Sequence, residues 1–378
     1  MAVRGWAVQG WGGSIAVAVG AAAGAGAAQL GLGYGLGIIA WLPASNGAAE
    51  AAWVASLGWA TWIAATSTVV GAVLAGRFSS AESTTPDGPG TPLTATLWRI
   101  ALALAAAVGA LVTVALIAVP ARAATRADTF SPQTIAAGYA ILGVIAGLLV
   151  AIPALAARAV AANTVVTVAY LWLLAVVTVI DGVVAGRGLG TAHLGVWQFT
   201  SERDGYWFGN LYLPGMALSV LSALVLGALA AWPAARRGDG RVGVAISGAV
   251  GPLLVAAAYF LTAPNLVGVR NQQLSAYLVA PYALIAGLAG SVLVAAWGSR
   301  EPAPRALPGV AVPAQRPIEA PPEVRAAAAL PGREPEPSVR EPEPAGRGRG
   351  GRKRAGRKPA SPAPAGTPPE ESGPAAGA

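Results

Sequence analysis

Eight apolar runs fill the first 298 residues of this 378-residue chain, and each is long enough to cross about 30 Å of hydrocarbon, which takes about 20 residues of helix. Their limits fall near 14–41, 52–75, 98–119, 134–156, 164–185, 211–232, 242–263 and 276–297. Lipid supplies no partner for backbone N–H and C=O groups, so helices are the only option at this length. The expected fold is an all-α, polytopic membrane helix bundle of about eight transmembrane helices with a disordered C-terminal tail. Only 11% of residues are charged and 55% are hydrophobic, against about 25% charged in soluble domains.

The first run follows Arg4 and contains the small residues Ala25-Gly26-Ala27, a pattern that a cleavable secretory signal also shows. Cleavage there would strand Leu30 to Leu42, which is too short to cross. An uncleaved first helix is the simpler reading.

Composition removes whole classes of chemistry. With no cysteine and a single histidine, His193, the chain has no disulfide, thiolate nucleophile, iron–sulfur cluster or Cys/His zinc site. It also lacks the phosphate-binding Gly-x-x-x-x-Gly-Lys loop, the Gly-x-Ser-x-Gly elbow and His-Glu-x-x-His. No cofactor is expected, and a non-catalytic protein is the favoured reading.

The second expected domain, 299–378, holds 13 of the 25 basic residues, 9 of the 17 acidic ones and 18 of the 30 prolines. Proline denies the backbone its donors and little apolar surface is left to bury, so this segment reads as disordered. Within it Arg347, Arg349, Arg352, Lys353, Arg354, Arg357 and Lys358 place seven positive charges in thirteen residues with no acid. Such a run suits anionic lipid headgroups or a cytoplasmic protein. No aromatic residue interleaves it, so sequence-specific nucleic-acid binding is not expected.

Basic residues are retained on the cytoplasmic side of a membrane. Arg4, Arg77, Arg99, Arg158, Arg236, Arg237 and Arg241 lie with the tail on one side, against Arg122, Arg126, Arg187, Arg203 and Arg270 on the other. Both termini are therefore expected in the cytoplasm and the chain in the plasma membrane. The ratio of 23 Arg to 2 Lys with abundant Ala, Gly and Pro points to a GC-rich bacterial genome.

Tyr139-Ala-Ile-Leu with Ala146-Gly147 and Tyr282-Ala-Leu-Ile with Ala289-Gly290 match at an offset of 282 − 139 = 143 residues. A four-plus-four duplication would give two halves of the same orientation; chance similarity in an Ala- and Gly-rich chain is the competing reading. Glycines spaced four apart in the first run (20/24, 31/35 and 33/37) form a flat face for helix packing, within the chain or against a second copy in a homo-oligomer.

Ionisable residues inside spans are the usual pointers to function. Asp181 shares a helical stripe with Thr164, Thr167 and Thr178, which would suit a cation or proton path; pairing of the carboxylate with an arginine is the plainer alternative. The loop after the fifth run gathers His193, Trp197, Glu202, Arg203, Asp204 and Trp207, a set suited to a sugar or protein partner or to anchoring at the interface. Three functions follow. The leading one is a cell-envelope scaffold or accessory component in the lipid bilayer. The second is a small-solute or ion permease using the Asp181 stripe, and the third is a membrane enzyme acting on an envelope lipid or sugar with Glu202 or Asp204.

Overall fold

The computed structural model describes residues 11–43, 47–82, 92–126, 130–186, 188–190, 192–197, 206–207, 211–262 and 271–298. The expected tail, including Arg347 to Lys358, lies outside the described residues. The chain is a multi-pass membrane protein, and the eight α-helices among the described residues are all long and apolar enough to cross a bilayer. They are α1 (Trp11–Gly35), α2 (Gly47–Glu82), α3 (Pro92–Ala121), α4 (Pro132–Ala156), α5 (Arg158–Val184), α6 (Leu213–Arg236), α7 (Arg241–Thr262) and α8 (Asn271–Gly298). Before α6, a two-residue antiparallel ribbon pairs Tyr206 with Tyr212 and Trp207 with Leu211.

The first helix stops six residues short of the limit at 41 expected from its apolar run. Gly37 takes a left-handed φ of 69°, the Gly37 N–H bonds the Tyr34 carbonyl and the Ile38 N–H bonds the Gly33 carbonyl. This is the glycine-terminated helix stop that satisfies the last carbonyls. The chain then doubles back, burying Ile38, Ile39 and Trp41, and the Ala40 N–H donates to Ser56 Oγ of α2 at 3.0 Å.

Helix α2 is buried all round, as its even distribution of Trp, Ala, Leu and Ile requires. It contacts α1, α3, α4, α5 and α7. Its buried hydroxyls need no outside partner, because Thr61, Thr66, Ser67 and Thr68 donate to the carbonyls of Leu57, Trp62, Ile63 and Ala64 one turn back. Trp53 and Trp41 form an edge-to-face pair 5.2 Å apart and are both buried. The Arg126 guanidinium lies 4.8 Å from the Trp53 ring and 2.8 Å from the Glu50 carboxylate. Both rings are thus packed against protein groups.

The two halves follow one packing scheme. In α1 to α4 the first helix packs on the second and third, these pack on each other, and both pack on the fourth; α5 to α8 repeat every one of these pairings. Close approach at glycine recurs as well. A Cβ on Gly147 of α4 would drive into the Ala65 carbonyl of α2, and one on Gly290 of α8 would drive into the Leu224 carbonyl of α6. These are the two glycines matched at an offset of 143 in the sequence. Third helices also approach first helices closely at glycine, Gly109 against the Val19 carbonyl and Gly251 against the Thr167 side chain. The open glycines of α1 differ: Gly20, Gly24, Gly31 and Gly35 face nothing within 4 Å, while Gly26 and Gly33 are packed.

Replacing Gly147 or Gly290 with Val is expected to cost about 1–3 kcal/mol through overpacking. The same change at Gly24 is expected to be close to neutral. Thermal unfolding of the purified variants in detergent checks the contrast.

Candidate functional site

Helix α5 carries the polar side chains that organise the second half. Asn163, Thr167 and Tyr170 follow one another at spacings of four and three, which places them on one face. This face lines a small open cavity of about 70 Å³ shared by α5, α6, α7 and α8. None of the residues lining it is charged. The cavity exists because α6 contributes small residues there, Gly215, Ser219, Ser222 and Ala223, whereas the corresponding helix of the first half, α2, is filled by Trp53, Trp59, Trp62 and Ile63.

The roof is a non-helical strap, residues 192–197, which enters the bundle. Its Gly195 would, with a Cβ, lie 3.4 Å from Leu171, the central residue of α5, thirteen positions from either end (171 − 158 and 184 − 171). Irregular backbone at this depth is tolerated only where protein groups satisfy it, and they do. Trp59 Nε1 donates to the Ala192 carbonyl at 2.8 Å, the Tyr259 hydroxyl donates to the Leu194 carbonyl, and Ser219 Oγ donates to the Gly195 carbonyl at 3.2 Å. Within the strap the Val196 N–H returns to the His193 carbonyl at 3.3 Å. This closes a turn whose third residue, Gly195, has a φ of 70°, as such a turn requires.

Most polar groups around the cavity are thereby used. Ser222 donates to the Ser219 carbonyl at 3.1 Å, and Ser275 Oγ accepts from the Tyr212 N–H at 2.9 Å. Two groups are different. The buried Tyr170 hydroxyl has no hydrogen-bond partner. Asn163 is 1% exposed, its Oδ1 accepts from the Gly251 N–H at 2.9 Å, and its Nδ2 has no hydrogen-bond partner. A buried amide donor left unpaired is costly, about 1–3 kcal/mol.

Of the stripe expected on α5, only Thr167 lines this cavity. Thr164 is fully buried and donates to the Val160 carbonyl at 3.1 Å, and Thr178 donates to the Leu174 carbonyl at 2.8 Å. Asp181 is half-buried near the end of α5, away from the cavity lining. In the expected loop site, His193 and Trp197 are half-buried members of the strap, and Trp207 belongs to the ribbon. Glu202, Arg203 and Asp204 lie outside the described residues. Sequence reasoning missed Asn163 and Tyr170, although a carboxamide inside an apolar run at helical spacing from Thr167 was a readable signal. It also missed Gln29 of α1, whose Oε1 accepts from Trp172 Nε1 of α5 at 2.9 Å and whose Nε2 donates to Ser67 Oγ of α2 at 3.5 Å, joining the two halves.

Compared with family models, curated proteins and solved structures, the chain matches none.

Removing the strap's donors should free it. The double variant Trp59→Phe, Tyr259→Phe leaves two buried carbonyls unpaired, at about 1–3 kcal/mol each. Faster amide hydrogen exchange across 192–197, with α3 and α4 unchanged, is the expected outcome.

Proposed function

We propose that this protein is a non-catalytic membrane carrier or receptor for a small, uncharged, largely apolar molecule bound in the cavity of its second half. The supporting observation is the buried Asn163 amide with a free donor at the edge of an apolar space. A ligand that offers one hydrogen-bond acceptor and an apolar body would complete that amide and fill the space. An ion would find no countercharge in the lining. The lining suits such a ligand, since small-molecule sites are mostly apolar with a few placed polar groups. The strap 192–197 stands between the cavity and the end of the bundle where α5 ends and α6 begins, so its movement is the natural route of entry.

In this reading, Thr167 is the one member of the Thr164–Asp181 stripe that touches the solute. The arginine-bearing end, with Arg77, Arg158, Arg236, Arg237 and Arg241, faces the cytoplasm by the positive-inside rule, and the strap then faces outward in a plasma membrane.

The absence of native cysteine permits a direct test. Single cysteines are placed by Ser219→Cys and Ser222→Cys, and native membranes are treated with uncharged N-ethylmaleimide or with an anionic sulfonate thiol reagent. The uncharged reagent is expected to react at least about tenfold faster, because a charge entering an apolar site loses its hydration, and Ala223→Trp is expected to block it. Equal rates for the two reagents would replace the proposal with an aqueous pore. Labelling that ignores Ala223→Trp would remove the cavity as the site.

A further inference from the structure

At the end of the bundle opposite the strap, α2, α4, α5 and α6 surround an open cleft of about 510 Å³. Three helices build it in the same way. On α6, Ala230 and Pro233 lead to Arg237; on α2, Val73 and Gly76 lead to Arg77; on α5, Ala162 and Ala161 lead back to Arg158. Spacings of three, four and seven put each set on one helix face, so these three walls are apolar within and end in an arginine at the rim, while Ala154 and Leu155 of α4 close the fourth side. No acidic residue lines the cleft.

Arg77 and Arg158 have no hydrogen-bond or ion-pair partner among the described residues. Arg237 shares one nitrogen with Asp239 at 3.2 Å, which leaves its other donors. Three guanidiniums above an apolar floor form an amphipathic receptor: a phosphate fits the rim, and hydrocarbon fits the floor below it. A hydrated free anion would leave that floor uncovered.

We propose that this cleft binds a phosphate-bearing anion, supplied as the headgroup of an anionic phospholipid whose chain lies along Val73, Leu155 and Ala230. This site is separate from the solute cavity and from the basic run of the tail, and it does not depend on either.

The test uses the full chain in lipid nanodiscs or mild detergent. Native mass spectrometry measures retention of phosphatidylglycerol against phosphatidylcholine, with and without inorganic phosphate as competitor. The triple variant Arg77→Gln, Arg158→Gln, Arg237→Gln is expected to bind phosphatidylglycerol at least about tenfold more weakly, since each basic residue near a surface adds measurably to anionic lipid affinity. Phosphatidylcholine should be unaffected. Two control variants should bind as the wild type does: Arg99→Gln, outside the cleft, and the full chain with its seven basic tail residues from Arg347 to Lys358 changed to Gln. Thermal stabilisation by phosphatidylglycerol, present in the wild type and absent in a folded triple variant, separates lost binding from lost structure.

Failure of millimolar inorganic phosphate to compete supports the lipid source. Full competition, with the arginines still required, would overturn the lipid and leave a free phosphate ester as ligand. Undiminished phosphatidylglycerol retention in the triple variant, or its loss on changing the tail alone, would overturn the site.

Discussion

The structure depends on one constraint: a polar group placed in hydrocarbon must find its partner inside the protein. The helices meet it by construction, and the informative places are those where the backbone is not helical. Residues 36–43 and 192–197 both leave the helical path, and both are held by side chains from α2. Ser56 takes the first segment, and Trp59 takes the second. The two anchors thus lie three positions apart on α2, and both irregular segments are tied to one buried helix.

Packing in the rest of the bundle follows from the absence of a hydrophobic drive between helices in lipid. Contact must come from close approach, and glycine supplies it at equivalent crossings in the two halves. The halves then diverge in what fills the space between helices. Tryptophan and isoleucine close the first half around α2, whereas serine, alanine and glycine on α6 leave the second half hollow. With the same scaffold on both sides, the side chains of the second helix of each half decide where a ligand can sit.

The spans were legible because periodic apolar length is a physical requirement of crossing, and eight runs correspond to eight helices. The end of α1 was not, since Gly37 sits among other glycines and only the bonds of Gly37 and Ile38 to Tyr34 and Gly33 distinguish it as the stop. The Asp181 stripe attracted attention through its charge, yet the polar line of the cavity is 163, 167 and 170. Asn163 was hidden because an amide carries no charge, and its importance depends on Gly251 of a helix 88 residues away capturing one of its two ends. The strap could not be read at all: residues 192–197 look like an ordinary loop, and their depth is set by Trp59, Tyr259 and Ser219 from three other helices.

The burial of α2 on every side bears on how the protein is made. A central helix contacts α7, yet 241 − 82 = 159 residues of chain separate the end of α2 from the start of α7. During synthesis α2 therefore waits in the bilayer without some of its final neighbours. Its hydroxyls are suited to that wait, because Thr61, Thr66, Ser67 and Thr68 bond to their own helix and bring no unmet demand into lipid. The nascent first half can be stable as a lipid-exposed intermediate, onto which the second half closes late, with Gln29 ready to receive Trp172 as soon as α5 arrives.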